Sequence, residues 1–515
     1  MLRSVPELLR HFQELYPYIC VDEAQDTSKI QHAIIALLAS GSENLFMVGD
    51  EDQSIYGFRA AYPEALLTFE KNYPDAKVLL MEENFRSDAR IVLAADRFIQ
   101  KNTLRHEKHM KAARKPASDI REISLRSRKA QYTYLAKLAE GCTSQTAILY
   151  RDNECILPLV DLLERNGIPY QMRNAELSFF SHRTILDIIN IIKLAQKPMD
   201  TEAFLQIYYK IGTYLRKQDA IRIARISEEK RIPILDVAAE DPDLNGHVLG
   251  SVRSMRTHLQ NLLQDSGERA LYRIMQYMGY QEYLNRSGLS DSKLEILRIL
   301  GSRADSPMEL AERLEQLKVL IREKEPDRKC PLILSTIHAS KGLEYDSVYL
   351  IDVADGILPE SIPQNLHQAS AEELKAYEEE RRLFYVGVTR AKDHLTLFTT
   401  NRPSTFCSEF LGKSSVTEEG RKNLMPVESR ISRTFKQARP YAAVAGIRQT
   451  KASEELYFRL KEELGTGVIV EHKKYGEGVV TQLDDRLVHI MFQDDTLRMM
   501  DLKILANAGL LKVKK

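Results

Sequence analysis

The 515-residue sequence lacks the features of secreted, zinc-binding and membrane proteins. Its five cysteines contain no Cys-x-x-Cys pair, so we expect neither a disulfide framework nor a zinc site, and a reducing cytoplasm fits. No signal peptide is recognisable, and no apolar run is long enough to span a bilayer, so we expect no membrane partner. Lysine plus arginine and aspartate plus glutamate both number 73. The zero net charge argues against a passive, wholly basic nucleic-acid binder, but it allows basic grooves that acidic faces balance.

The most informative stretch is residues 18–26, which read Tyr-Ile-Cys-Val-Asp-Glu-Ala-Gln-Asp. Residues 19–21 are an apolar run too short for a helix, and their composition predicts a buried central strand of a parallel sheet. Asp22 and Glu23 would follow at the carboxyl end of this strand, where open α/β sheets bind ligands. In nucleotide hydrolases an Asp there holds Mg²⁺, and a neighbouring carboxylate can deprotonate the attacking water. A strand that runs into an acidic turn is the alternative interpretation.

A second segment, residues 49–59, reads Gly-Asp-Glu-Asp-Gln-Ser-Ile-Tyr-Gly-Phe-Arg after an apolar run. Gln53 can donate and accept hydrogen bonds at once, which suits a group that senses a phosphate. Tyr56 and Phe58 offer flat faces on which bases could stack, and Arg59 stands beside them for the nucleic-acid backbone. The competing interpretation is a loop whose aromatic rings only pack.

Further signals follow between residues 78 and 129. The apolar run 78–81 predicts a third strand, and Ser87 is expected to cap a helix over 88–99. Arg86 would lie just outside this helix start, where it could meet a phosphate; an ordinary surface arginine is the alternative. Residues 101–129 are basic, and we expect a solvated face there rather than a track for a phosphate backbone.

The rest of the chain divides into segments that differ in their pattern of apolar residues. Helical periodicity dominates residues 200–325 and carries no chemical motif. Apolar runs predict strands at 147–150, 332–335, 347–351 and 394–398, and helices at 5–15, 30–39, 155–166 and 185–195. An acidic helix is expected from Ala371 through Arg390. Residues 411–464 are interpreted as a linker with a short helix at 454–464. The short runs 468–470, 478–483, 487–492 and 497–502 predict a small SH3-like or Tudor-like barrel.

Five segments in this order resemble the motifs of the UvrD/PcrA/Rep family of superfamily-one DNA helicases. They are residues 22–26 (motif II), 49–60 (motif III), 83–87 (motif IV), 336–345 (motif V) and 380–391 (motif VI). The resemblance implies an α/β fold with RecA-like motor domains, the first one truncated, an all-helical insertion and a C-terminal Tudor-like or SH3-like barrel. The expected domains are 1–84 (first motor domain), 85–182 and 331–411 (second motor domain), 183–330 (insertion), 412–464 (linker) and 465–515 (β module).

The resemblance also implies roles in binding and hydrolysing ATP. Asp22 would bind Mg²⁺ and Glu23 would be the base for water attack. Gln53 would couple the γ-phosphate to the bound single strand. The remaining nucleotide contacts would be Arg86 and Arg390 as arginine fingers in cis, Glu344 at the ribose and Phe85 stacked on the adenine.

The single-stranded DNA, or a junction with duplex DNA, would face Tyr56, Phe58, Arg59 and His338. Phe58 stands where many family members have Trp, so stacking should survive with a smaller face. Ala60 stands where members usually have Gly, which narrows the backbone options.

One family feature is not found in the sequence. The Gly-x-x-x-x-Gly-Lys-Thr/Ser loop that cradles phosphates does not occur, and the Lys341-Gly342 pair lacks its upstream glycine spacing. We therefore expect a truncated form of an ATP-dependent 3′→5′ DNA helicase or translocase, with weak ATP hydrolysis by these 515 residues alone. The alternative is a non-catalytic protein that binds DNA or RNA polymerase. RNA polymerase could contact residues 465–515 at Lys473, Lys474 and Tyr475, unless these only solvate a barrel rim.

Overall fold

The structure is a computed structural model with two compact units, Met1–Glu419 and Gly420–Lys515. In the first unit it describes residues 2–172, 178–288, 292–325, 327, 329–366, 368–400 and 404–413. In the second it describes residues 464, 468–473, 475–483, 487–492, 497–501, 505 and 511–513. Most of the predicted linker, with its short helix, lies outside the described residues.

The N-terminal part, residues 2–82, carries a small parallel sheet. Its elements are α1 (Pro6–Leu15), β1 (Ile19–Val21), α2 (Lys29–Ala39), β2 (Leu45–Met47), α3 (Glu64–Leu67) and α4 (Phe69–Asn72). β1 pairs with β2 in parallel, with Ile19 opposite Leu45. The predicted strand is confirmed, but its predicted burial is wrong: Cys20 is exposed, and Phe46 on β2 is 62% exposed. In the described part of the chain each strand has only the other as a neighbour, so no further strand covers its flank.

The strand predicted over 78–81 does not form. Leu79 and Met81 are 84% and 87% exposed, and no ladder hydrogen bonds involve this run in the described residues. An apolar run becomes a strand only when a neighbour accepts and donates its backbone hydrogen bonds. The next strand, β3 (Glu83–Asn84), instead pairs with β4 (Lys111–Ala112).

The large-sheet part, residues 83–172 and 329–413, surrounds a six-stranded parallel sheet. Its first elements are α5 (Ala89–Ile99), β5 (Arg121–Leu125), α6 (Arg128–Glu140), β6 (Thr146–Tyr150), α7 (Leu157–Arg165) and β7 (Gln171–Met172). In the described residues between β7 and β8, nine α-helices follow: α8 (Arg183–Gln196), α9 (Thr201–Ile207), α10 (Lys217–Lys230), α11 (Ile234–Ala239), α12 (Gly246–Leu262), α13 (Gly267–Gln276), α14 (Tyr280–Ser287), α15 (Ser292–Gly301) and α16 (Pro307–Glu323). The described residues between β7 and β8 contain no strand, as the periodicity predicted.

The chain then returns to the sheet. The returning elements are β8 (Leu332–Thr336), α17 (Ile337–Ser340), β9 (Tyr345–Leu350), α18 (Ala371–Val388), β10 (Ala391–Thr400) and α19 (Thr405–Phe410). The strand order is β5-β10-β9-β6-β8-β7, and β6 is wholly buried between β8 and β9. Parallel strands buried on both faces read as continuous apolar runs, which is why the sequence predicted β6, β8, β9 and β10. The motif residues that follow β8 and α18 therefore lie at the ends of the strands of this sheet.

The C-terminal unit is an antiparallel sheet. Its strands are β11 (Ile469–His472), β12 (Gly476–Leu483), β13 (Leu487–Phe492), β14 (Leu497–Asp501) and β15 (Leu511–Val513), in the order β14-β13-β12-β11-β15. The four predicted strands are confirmed, and β15 is a fifth that the sequence did not indicate. Val470, Val480 and Ile490 form the centre of its core. In both units, no helix among the described residues has the length and apolar character to cross a membrane.

Candidate nucleotide and nucleic-acid site

Glu23 lies two residues after the end of β1 in a left-handed backbone conformation, with φ at +49°. A non-glycine residue pays about 1–2 kcal/mol for this conformation. The Asp22 carboxylate accepts a hydrogen bond from the Glu23 backbone N–H at 2.8 Å, and Gln25 Nε2 donates to Glu23 Oε2 at 2.5 Å. Backbone strain of this kind is concentrated at functional sites, and the Glu23 carboxylate reaches Lys341 in the second half of the chain.

Gln25 connects the two motif segments of the N-terminal part. It is 1% exposed, and its Oε1 accepts a hydrogen bond from the Asp50 N–H at 3.0 Å. A Cβ atom at Gly49 would lie 2.7 Å from this oxygen, so the close approach requires glycine there. Gln25 thus fixes the Glu23 carboxylate and the start of the 50–53 turn with a single side chain.

Two residues of the basic stretch clamp this turn. Arg105 and Asp52 form an ion pair at 2.8 Å, in which the two side chains are 6% and 3% exposed. Lys108 Nζ lies 2.6 Å from Asp50, 3.0 Å from Glu51 and 3.4 Å from Asp52. The predicted solvated face is therefore wrong for Arg105 and Lys108, because three carboxylates from the N-terminal part draw them inward.

Arg390 reaches the same turn from the end of α18. It is 1% exposed and donates to the Val386 and Leu343 carbonyls at 3.0 and 3.2 Å. Its Nη2 donates to Gln53 Oε1 at 3.4 Å. Burial, together with the charge of Arg86, lowers the pKa of Arg390 to about 10, so the guanidinium keeps its proton at neutral pH.

Arg86 and Glu344 form an ion pair at 2.9 Å, and Lys392 Nζ lies 3.0 Å from the same carboxylate. The hydrogen bonds to Lys392 and Arg86 hold the pKa of Glu344 below its usual value. Phe85, beside Arg86, is 71% exposed and presents a free ring face. These residues come from the loop after β3, the β8–β9 connection and β10, and the fold brings them to one edge of the site.

The predicted cap of α5 is wrong. Asp88, rather than Ser87, accepts a hydrogen bond from the Arg90 N–H at 2.8 Å. Ser87 Oγ donates instead to the Ala391 carbonyl at 2.6 Å, which ties the segment before α5 to β10. Arg86 therefore lies two residues before the cap rather than one.

Lys341 stands at the centre of the cluster. Its side chain is 6% exposed, and its Nζ lies 2.6 Å from Asp26 Oδ2 and 3.4 Å from Glu23 Oε2. It also donates to the Gln53 carbonyl at 2.8 Å. Burial raises the pKa of Asp26, and the Lys341 ammonium opposes that rise. Lys341 therefore joins the large-sheet part to both motif segments of the N-terminal part.

The predicted DNA-facing residues form an aromatic cluster. The His338 ring lies 5.5 Å from the Phe58 ring and 6.0 Å from the Tyr56 ring. The Arg59 guanidinium lies 5.2 and 5.4 Å from the same two rings. Tyr56 donates its hydroxyl to the His338 carbonyl at 3.1 Å, whereas Phe58 is 68% exposed. Burial, with the charge of Arg151, lowers the pKa of His338 to about 4, so its ring is neutral at pH 7.

The donor set suits a magnesium ion bound together with a nucleotide. Asp22 and Glu23 follow the end of β1, and both residues are exposed. Mg²⁺ usually binds one or two carboxylates and completes its shell with water and substrate phosphates. The residues present therefore fit the ion, and Asp22 would be its protein ligand.

The predicted RNA polymerase edge is only partly described. Lys473 is exposed, and Lys474 lies outside the described residues. The Tyr475 ring stacks on His472 at 4.7 Å and packs 5.6 Å from Phe492. Tyr475 thus contributes to the packing of its own unit.

Comparison with known proteins identifies the family. Residues 79–402 match the UvrD-like helicase C-terminal domain, and residues 1–74 match the UvrD/REP helicase N-terminal domain. The first match covers more than half of the 515 residues, and the chain belongs to the UvrD-like helicase family.

Individual relatives extend the match. YjcD of Bacillus subtilis (strain 168) is 31% identical over 409 residues, which are 76% of this chain and 53% of that protein. The ATP-dependent DNA helicase PcrA of Staphylococcus epidermidis is 28% identical over 94% of this chain and 69% of its own length. PcrA of Staphylococcus aureus (strain NCTC 8325) is 26% identical over the same shares. The chain therefore spans between about half and two thirds of these relatives.

Sequence reasoning missed several residues of the site. Gln25 lies inside motif II, whose spacing indicates no role for it, and the Lys341-Gly342 pair does not match the spacing of a phosphate-binding loop. The basic composition of 101–129 marked Arg105 and Lys108, but composition does not show that a cation is buried. The spacing of a motif indicates which stretches matter, whereas the partners of each side chain come from the packing of distant segments.

Proposed function

We propose that this chain supplies the catalytic carboxylates, two arginine fingers and a single-strand-binding surface of an ATP-dependent 3′→5′ DNA helicase or translocase. One observation carries the proposal. Glu23, Gln53, Lys341 and Arg390 come from four separate stretches, and each lies within hydrogen-bond or ion-pair distance of another. A structural cluster would bury its carboxylates, but Glu23 keeps 54% of its side chain exposed.

ATP would bind beside this cluster. Asp22 would hold Mg²⁺, which when bound neutralises phosphate charge and orients the leaving group. Both described contacts to the Glu23 carboxylate reach Oε2, so Oε1 would be the oxygen that takes a proton from the attacking water. Gln53 would orient that water or sense the γ-phosphate. Arg390 and Arg86 would stabilise the negative charge that develops on the transferred group.

Single-stranded DNA would lie over the exposed aromatic cluster. Phe58 and Tyr56 would stack on bases, with Arg59 directed at the phosphate backbone. His338, being neutral at pH 7, would contribute a hydrogen bond or a ring face rather than a charge. Nucleotide binding would pull the two parts of the chain together and hydrolysis would release them, which is a hinge transition. Stacked bases would move with each cycle.

Hydrolysis by these 515 residues alone is expected to be weak. The sequence contains no Gly-x-x-x-x-Gly-Lys-Thr/Ser stretch, so backbone N–H groups and a lysine for the β- and γ-phosphates are not supplied by it. Steady-state ATPase assays with and without single-stranded DNA test this expectation. DNA-stimulated hydrolysis that Glu23→Gln abolishes would contradict it, while supporting Glu23 as the base.

The role of Arg390 is tested in an enzyme completed with a phosphate-binding loop. Arg390→Ala should leave single-strand affinity within about twofold while removing ATP-driven movement along DNA, because the finger acts only on transferred charge. Lys375→Met is the matched control, since Lys375 pairs with Glu64 at 2.6 Å on the surface between the same two parts. Equal loss of DNA binding and movement in Arg390→Ala would count against the finger.

We also propose that β11–β15 form a small Tudor-like barrel. Five short antiparallel strands around one apolar core support this assignment. A solution structure of residues 465–515 with an open, flat sheet would remove it.

A further inference from the structure

We propose that Lys341 is a positioning residue that couples the single-strand-binding cluster to the carboxylate of Glu23. The inference rests on the proposed function, and it concerns a residue to which neither the motif analysis nor the mechanism above gives a role. The geometry supplies one continuous chain of contacts from the exposed rings to the carboxylate. Lys341 is the link in that chain between the two parts of the molecule.

The first link is the short helix α17, which precedes Lys341 directly. Thr336 caps it by accepting from the Ala339 N–H at 3.1 Å, and the Lys341 N–H donates to the His338 carbonyl at 3.3 Å. That same carbonyl accepts the Tyr56 hydroxyl. A base that displaces the Tyr56 or His338 ring therefore acts on a one-turn helix whose next residue is Lys341.

The second link is the ammonium itself. An ammonium has three N–H donors, and Lys341 lies within reach of three oxygens, on Asp26, Gln53 and Glu23. The shortest contact, 2.6 Å, is to Asp26, whose other carboxylate oxygen is buried without a hydrogen-bond partner among the described residues. Lys341 is therefore the charge that compensates this carboxylate, and it is held firmly from the N-terminal side.

The third link is the contact with Glu23. Lys341 and Gln25 both approach Oε2, so these two contacts restrain the carboxylate through one oxygen. A shift of α17 that moves the ammonium would therefore turn the Glu23 carboxylate. Conversely, a change in the charge of Glu23 would alter the position of Lys341 and, through α17, the aromatic cluster. Such coupling between two sites is reciprocal.

Reciprocity allows a test that needs no ATP hydrolysis. Affinity for a fluorescent oligothymidylate is measured by anisotropy at fixed salt for wild type, Glu23→Gln, Lys341→Met and the double variant. We expect Lys341→Met to weaken binding at least about fivefold. In the Lys341→Met background, Glu23→Gln should change the affinity by less than about 1.5-fold, a smaller change than in wild type, because energies of linked residues do not add. Lys341→Arg should restore affinity to within about threefold, since it keeps the charge and the donors.

Two controls separate coupling from simple loss of structure. Lys375→Met removes a surface pair at the same boundary and should leave affinity unchanged. Asp26→Asn weakens the hold on Lys341 from the opposite side, so with Glu23→Gln it should also be non-additive. This second cycle decides the matter if Lys341→Met does not fold.

The outcomes are distinct. Additive effects in the cycle, or equal effects of Lys341→Met and Lys375→Met, overturn the coupling. In that case, weaker oligothymidylate binding by Phe58→Ala would still support the DNA-binding surface. If wild type does not bind the oligothymidylate, or Phe58→Ala binds as well as wild type, the proposed function fails and the coupling fails with it.

Discussion

Replacing Lys108 with methionine should release the 50–59 segment from the large-sheet part. Lys108 is 14% exposed and is the shared cation for the Asp50, Glu51 and Asp52 carboxylates. Methionine keeps most of the volume but leaves Glu51, 4% exposed, without its lysine. Removing one partner from a buried ionic cluster costs about 3–5 kcal/mol. The lower end applies here because Arg105 still pairs with Asp52.

Hydrogen exchange measures this loss locally. The Gln53 and Ser54 N–H groups are bonded to the Asp50 and Glu51 carbonyls at 2.9 and 3.1 Å, so they exchange only when the turn opens. A local cost of about 3 kcal/mol should speed their exchange by ~100-fold, since about 1.4 kcal/mol is a factor of ten. Mass spectrometry of peptides that cover 50–59 gives the rate.

The matched control lies three residues further on. Lys111 forms an ion pair with Glu82 at 2.7 Å, but its side chain is 68% exposed. Exposed pairs contribute little, so Lys111→Met should leave exchange in 50–59 unchanged. If Lys108→Met and Lys111→Met give the same rates, the ionic cluster does not hold the segment, and the reasoning from burial is refuted.

Three further predictions follow from single residues. The fold lowers the pKa of His338 to about 4, so between pH 4 and 6.5 the unfolded chain binds a proton at this residue more readily than the folded chain. The free energy of unfolding should therefore fall on acidification through that range, by at most ~3 kcal/mol. Thermal melts at several pH values should show a smaller fall in His338→Asn. Ala60 has φ at +60°, so Ala60→Gly should raise the free energy of unfolding, measured by urea titration, by about 0.5 kcal/mol. The control Ala61→Gly should lower it, because Ala61 does not have a positive φ. Asp88 caps α5 and also accepts from the Ala117 N–H, so Asp88→Ala should cost about 2 kcal/mol in urea unfolding, and a neutral result would remove the cap assignment.

The elements that the sequence predicted well are those with local causes. The apolar runs at β6, β8 and β9 are buried on both faces, and the helical periodicity of 183–323 needs no partner to be recognised. The run at 78–81 has the same composition but lacks a neighbouring strand, so composition alone could not decide its state. Ser87 and Asp88 are both residues that cap helices well, so the sequence alone could not decide which of the two precedes the first turn of α5.

The site was predictable as a set of stretches and not as a set of contacts. The motifs named Glu23, Gln53 and Arg390, but not the 3.4 Å contact between Gln53 and Arg390, because it joins residues 337 positions apart. Lys341 carries no local signal beyond its own charge. The three oxygens around its ammonium belong to segments more than 280 residues earlier, which only the folded chain brings together.

The small sheet of β1 and β2 has a practical consequence for anyone who handles this polypeptide. A two-stranded parallel ladder has an outward row of amide and carbonyl groups on each side, and Phe46 stands among them at 62% exposure. Rows of this kind template the addition of strands from other molecules. Self-association at high concentration should therefore begin at residues 19–21 and 45–47, and a charged residue in place of Phe46 should suppress it without touching the carboxylates at the strand end.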